Sequence, residues 1–376
     1  MKRVLIITRN FPPLWGGMER LNLHLVDELS RYFEISLVAP EGAIKHTSSS
    51  VSVTQVPLRP LLRFLLSATY QAIHLARTWR PDIVVAGSGL TAPLALLAAK
   101  CCGAKSIVYV HGLDLTVPDP VYRTIWLAAL RQVDGVIANS GATETLARDA
   151  GIAPQRIGIV HPGVTVPENI DPEVARHFRI KYELGAGPIL LSVGRLAARK
   201  GLREFVADVF PHIVEQYPDV LLVVIGSPPS DALFAEVQSP ASIQIVAGSK
   251  GIGRNILFLG GLDNISLSHA YVAASVHVFP VRDIPNNPEG FGMVAIEAAA
   301  YGLPTVAYAV GGVVDAVAEG QSGQLIEPGN ARAFADAVIN QLREPADKKK
   351  LRAFAQEFAW ERFGAKLYKQ LTKYLS

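Results

Sequence analysis

Short, continuously apolar, β-branched runs alternate with amphipathic stretches along this chain, and that alternation limits its fold more than any other feature. The first half holds "RVLIIT" (3–8), "EISLVAP" (34–40), "DIVVAG" (82–87), "SIVYVHG" (106–112), "GVIANS" (135–140) and "IGIVHP" (157–162). Helical patterns lie between them; over 18–31, Leu21, Leu25 and Leu29 share one face. A strand apolar on both sides must be covered on both sides, so the pattern predicts a parallel sheet with helices on either face. The pattern pauses over 163–184, which carries Pro167, Pro172 and many charges. It then restarts with "GPILLSVG" (187–194), "DVLLVVIG" (219–226), "SIQIVAG" (242–248), "ILFLGG" (256–261), "VHVFP" (276–280), "PTVAYA" (304–309) and "GQLIEP" (323–328). Two doubly wound α/β domains are therefore expected, joined near residue 165. A length of 376 residues exceeds one ordinary core and agrees with that division. Two long helices, about 331–342 and 347–374, are expected to end the chain.

Composition narrows the class. Hydrophobic content of 49% with 18% charge excludes a disordered chain. The two cysteines, Cys101 and Cys102, are adjacent and form no disulfide framework, which fits a reducing cytoplasm. The start "MKRVLIITRN" reads as a first strand and not as a signal peptide. Residues 61–76, "LLRFLLSATYQAIHLA", are interrupted by Arg63 and His74, which argues against a spanning helix. Residues 1–165 hold 16 Lys/Arg against 11 Asp/Glu, a net +5, while 166–376 hold 20 against 22, a net −2. A basic first half favours an anionic partner or a membrane surface, and simple scatter explains it equally well.

In open α/β sheets, ligands gather beyond the carboxyl ends of the strands. Four segments there are unusual. In "TRNFPPLWGGMER" (8–20), Gly16 and Gly17 precede a helix whose N–H groups could meet an anion, or they form a plain turn. The spacing is not that of a dinucleotide fingerprint, which disfavours a dehydrogenase. In "SVGRLAARKG" (192–201), a strand ends at Gly194, and Arg195 and Lys200 follow as cations suited to a diphosphate, or as a solvated basic loop. His111 ends the strand in "YVHGLDL" (109–115), where it is either structural or at the site. The fourth segment is "PEGFGMVAIEAAAYGLPTVA" (288–307), with Glu289 before a helix start near Gly292 and Glu297 inside an apolar run. The helix end offers free N–H groups, and carboxylates bind vicinal hydroxyls with charge-assisted hydrogen bonds. A buried salt bridge for Glu297 and a helix-end charge for Glu289 are the structural alternatives.

The Glu-x7-Glu pattern "EGFGMVAIE", its continuation "EAAAYGLPTVAYAVGGVVDAV", "VGRLAARKG" and "FPPLWGG" together resemble the retaining, nucleotide-sugar-dependent glycosyltransferases of the GT-B fold, group 1, family 4 type. The resemblance spans nearly the whole chain. It implies two doubly wound Rossmann-like domains facing a central cleft. Residues 1–165 would take the acceptor, with the tail helix at about 360–376 packed back onto them, and 166–359 would take the donor. Arg195 and Lys200 would grip the donor diphosphate, Glu297 the ribose and Glu289 the transferred sugar. Phe291, Gly292, Met293 and Val294 would offer backbone groups, and Leu259 and Gly260 would meet the base. His111 would bond the sugar, and Gly16 and Gly17 would close over the phosphates and acceptor. Neither cofactor nor metal is implied, nor a nucleic-acid partner. Retained configuration would come from front-face attack. The segment "NNPEGFGMVAIEAA" favours GDP-mannose over a UDP-sugar. The implied product is a cell-envelope polysaccharide, lipopolysaccharide or glycolipid, built on a glycan or lipid-linked acceptor. Related chains commonly carry Pro-Ser where this one has Pro280 and Val281 followed by "RDIPNNP". Rival readings are a sugar-nucleotide epimerase on the same architecture and a non-catalytic sugar-nucleotide-binding protein. Residues 57–81 mix Leu and Phe with Arg59, Arg63, Arg77 and Arg80. They form either a helix lying on the inner face of the membrane or an ordinary one packed on the sheet.

Overall fold

The computed structural model describes residues 1–228 and 237–375. The chain divides into two compact units, one of Met1–Gly163 with the tail from Trp360 on, the other of Val164–Ala359. The first unit holds β1 Arg3–Ile7, β2 Glu34–Pro40, β3 Ser52–Val56, β4 Ile83–Ala86, β5 Lys105–Val110, β6 Gly135–Ala138 and β7 Ile157–Ile159. They lie in the order β3-β2-β1-β4-β5-β6-β7, paired in parallel throughout. The second unit holds β8 Ile189–Val193, β9 Leu221–Ile225, β10 Ile256–Gly260, β11 Val276–Phe279, β12 Thr305–Tyr308 and β13 Gly323–Ile326. Their order is β10-β9-β8-β11-β12-β13, again parallel. Apolar runs such as Val4–Ile7 and Leu222–Ile225 are buried along their length because helices cover both faces of each sheet.

Three expectations need correction. The run "SIQIVAG" is not a strand: it lies in the helix Pro240–Ser249. Ser239 caps that helix by accepting from Ser242 N–H, and Pro240 fits its first position. Ile243 and Ala247, one turn apart, then bury while Ile245 stays exposed. Strand β3, "SVTQV", is an addition. It is an edge strand paired only with β2, so its polar alternation carries little signal. The long last helix is two, Lys348–Gln356 and Trp360–Thr372. They break where Val164 N–H donates to Phe358 O at 2.7 Å. Residues 164 and 359, the first and last of the second unit, pair in a bridge there. Trp360–Thr372 packs on the helix Gly17–Leu29, with Trp360 stacked on His24 at 3.8 Å and Gly364 against Glu28.

Candidate active site

The strand order of the second sheet reverses between β8 and β11, which opens a crevice at their carboxyl ends. The loop Gly194–Gly201 leaves β8 there. Gly201 has φ +67° and lies so close to Pro280 O, at the end of β11, that a Cβ would collide. Only glycine allows this approach, which presses the basic turn Ala198–Lys200 onto the end of β11. Lys200 Nζ then stands 4.7 Å over the Phe279 ring and 2.8 Å from Glu289 Oε2. Arg199 Nε reaches the same oxygen at 3.2 Å. Arg195 is exposed on the same loop.

Glu289 is held from behind by the turn after β12. Gly312 N–H donates to Glu289 O at 2.9 Å, and a Cβ on Gly312 would strike Gly290 O. Burial by itself would push the Glu289 carboxyl up; Lys200 and then Arg199 outweigh it and hold it at about 2. Burial pulls the Lys200 ammonium below its ordinary value, against the pull of Glu289. His277, fully buried on β11, is lowered to about 3 by burial and then by Lys200, so it is neutral. Its Nδ1 lies 3.0 Å from Thr305 Oγ1.

The helix Met293–Ala300 starts behind Gly292, whose φ is +98°. Phe291 is core, packed near Phe358 at 5.9 Å, so only its backbone can serve a ligand. The first-turn N–H groups of Met293 and Val294 have no helical partner. Glu297 is buried among Ala295, Ala298 and Ala299 on this helix, and its Oε2 accepts from Tyr271 O–H at 3.0 Å. Gly194, Gly226 and Gly260 end three neighbouring strands, linked by Gly194 N–H to Ile225 O and Gly226 N–H to Gly260 O. Leu259 precedes Gly260 on β10. Val281, which follows Pro280, is buried in the core, and its side chain offers no polar group.

In the first unit, His111 directly follows β5 and is buried. Its Nε2 lies 2.9 Å from Gly87 O, an acceptor, so Nε2 carries a hydrogen. The His111 backbone N–H donates to the Asp114 carboxylate at 3.0 Å. Gly16 precedes the helix Gly17–Leu29 in extended backbone, and Glu19 already occupies the first turn, its Oε1 accepting from Asn10 Nδ2 at 2.9 Å.

The structure thus joins Glu289 directly to Lys200, and Gly194 to the β10 end through Gly226. Sequence reasoning missed Arg199, Tyr271 and His277. Arg199 had a signal, the second cation in "ARKG"; Tyr271 and His277 had none short of the folded chain.

Two parallel α/β sheets with charged strand-end loops define the fold class. That class is confirmed by solved structures: Anabaena Alr3699/HepE in complex with UDP and glucose superposes with a TM-score of 0.80 at 18% identity, covering 99% of this chain and 100% of that one. The fold is the α/β two-domain GT-B fold. The family model for glycosyl transferases group 1 matches residues 176–358, and that for Glycosyltransferase Family 4 matches 15–167. The chain belongs to these group 1 glycosyltransferases. The GDP-mannose-dependent alpha-(1-6)-phosphatidylinositol monomannoside mannosyltransferase of Mycolicibacterium smegmatis is 28% identical over 98% of both chains. A D-inositol 3-phosphate glycosyltransferase of Mycobacterium marinum is 30% identical over 72% of this chain and 56% of its own.

Proposed function

We propose that this glycosyltransferase moves a hexose with retained configuration from a nucleotide diphosphate sugar, GDP-mannose first, to a glycan or lipid-linked acceptor of the cell envelope. The single observation that carries the donor reading is the buried Glu289–Lys200–Arg199 cluster at the switch point of the second sheet. Arg195 and Lys200 supply positive charge for the departing diphosphate, so the transfer needs no divalent metal. Glu289 is kept ionised to accept from sugar hydroxyls, and Glu297, steadied by Tyr271, accepts from the ribose. The GDP-mannose preference is supported by the name of the relative that matches along 98% of the chain. A UDP-sugar is the second reading, favoured by the UDP held in the solved structures of the same fold.

Peripheral contact with the inner membrane completes the reading. The helix Leu61–Trp79 turns Leu62, Leu66 and Tyr70 to solvent at successive turns, each about two-thirds exposed. Arg63 and Arg77 flank them, and residues 57–81 contain no Asp or Glu. Among the described residues no helix is long and apolar enough to cross a membrane.

A thermal-shift panel of UDP, GDP, dTDP and ADP with their sugars tests the donor reading, because binding stabilises the native state by mass action. GDP and GDP-mannose are expected to raise the melting temperature most. No shift with any nucleotide overturns the reading.

A further inference from the structure

We propose that Arg199 is the standing counter-ion of Glu289, a positioning residue that keeps this carboxylate in place when Lys200 is drawn off it onto the diphosphate of a nucleotide sugar. The inference rests on the donor-site reading above and assigns within it a residue that the reading does not use.

Three observations carry it. Both cations address one oxygen, Lys200 Nζ at 2.8 Å and Arg199 Nε at 3.2 Å from Glu289 Oε2. The carboxylate therefore has one cation more than it needs, and Oε1 is left for a ligand hydroxyl. Next, the small cavity at the ends of β8 and β11 is lined by Gly194, Arg195, Lys200, Phe279 and Pro280, among others, and not by Arg199. Lys200 thus forms part of this cavity's wall together with a second cation, Arg195, while Arg199 lies outside it. Last, the Arg199 backbone is fixed: its O accepts from Arg282 N–H at 2.8 Å, and Gly201 is wedged against Pro280.

The chemistry of the two side chains agrees with this division. An ammonium is a compact charge on a flexible stem that can change partners, whereas the guanidinium stays protonated and holds a fixed fork. Were Lys200 the sole partner, its departure would leave a buried, unpaired carboxylate, which burial drives toward the neutral acid. With Arg199 in place the charge survives the transfer. The other charged or titratable groups around the cluster are Arg195 on the same loop, His277 on β11, kept neutral by burial, and Arg282, which is tied to Glu204 at 2.9 Å.

The test is calorimetric titration of GDP against GDP-mannose, with UDP against UDP-glucose as a second pair, between pH 5 and 8. The proteins are the wild type, Arg199→Met, Arg199→Lys and Lys200→Met. Arg199→Met is expected to bind the free nucleotide as the wild type does but to lose about tenfold in affinity for the intact donor, the worth of one hydrogen bond to a charged group. That loss should deepen toward pH 5, and Arg199→Lys should restore both the affinity and its flat pH dependence. Lys200→Met should weaken the nucleotide and the donor alike. Loss of free-nucleotide affinity in Arg199→Met equal to that in Lys200→Met would make Arg199 a phosphate ligand and overturn the proposal. Unchanged donor binding across the pH range would make Arg199 a bystander and overturn it too. If Arg199→Met does not fold, Arg199→Lys still decides, since free-nucleotide affinity lost there refutes the division. A wild type that binds none of the four compounds sinks the donor-site reading instead.

Discussion

Replacing Glu289 with glutamine removes one negative charge from between two buried cations and leaves the shape nearly unchanged. The folded state lowers the pKa of this carboxyl from 4.5 to about 2. Each tenfold change in proton affinity is worth about 1.4 kcal/mol, so the pairing favours the folded state by about 3 kcal/mol. The side chain is only 10% exposed, so solvent screening takes little from that figure. Breaking a buried ion pair by deleting one partner costs about 3–5 kcal/mol, which agrees. Glu289→Gln should therefore lower the melting temperature of the unit Val164–Ala359 by about 6–12 °C at pH 7. GDP should recover part of that loss, because its phosphates meet Lys200, one of the two cations left unpaired. The GDP-induced rise is then larger in the variant than in the wild type. The sign with pH is fixed as well. A carboxyl held low in the folded state stabilises fully above its unfolded value of 4.5, and that stability goes as pH falls toward about 2. The two melting curves should converge over that range. Scanning calorimetry with and without GDP reads all of this. A variant that melts with the wild type at pH 7, or gains no more from GDP, would show that the cluster is not what holds this loop.

Other outcomes follow from the same geometry. Glu297→Ala should weaken free-nucleotide binding by about tenfold or more, the loss of a charge-assisted acceptor, while Glu289→Ala mainly slows transfer; equal effects on nucleotide affinity contradict the division. Leu66→Glu should reduce cosedimentation with phosphatidylglycerol vesicles at low salt, and a wild type that does not sediment under those conditions ends the membrane reading. Chelation with EDTA should leave the rate of sugar transfer unchanged; loss of activity restored by magnesium would refute the charge assignment to Arg195 and Lys200.

Much of the fold was legible because hydrophobic period is local. Runs such as "DVLLVVIG" and "VHVFP" sit close to the strands they predicted, since a strand covered on both faces must be apolar throughout. The run "SIQIVAG" misled for the same reason: β-branched residues suit a strand, but the Ser239–Pro240 cap started a helix. For the candidate site, Arg195, Lys200 and Glu289 could be found as charges on strand-end loops, from spacing and glycines, and Glu297 as a charge inside an apolar helical run. Their partners could not. Tyr271 reaches Glu297 from a helix 26 residues earlier, and no pattern in either segment announces the other.

The sequence by itself determined two parallel α/β sheets and the loops that carry charge at their carboxyl ends, because periodicity, caps and glycines act over a few residues. Only the tertiary structure decided that Arg199 and Glu289, 90 residues apart, share one buried ion cluster. That pairing depends on β8 lying beside β11, on Gly201 letting the basic turn press against Pro280, and on Gly312 holding the Glu289 loop from the other side. Each is a close approach of backbones distant in the chain, and such approaches are set by how the sheet packs.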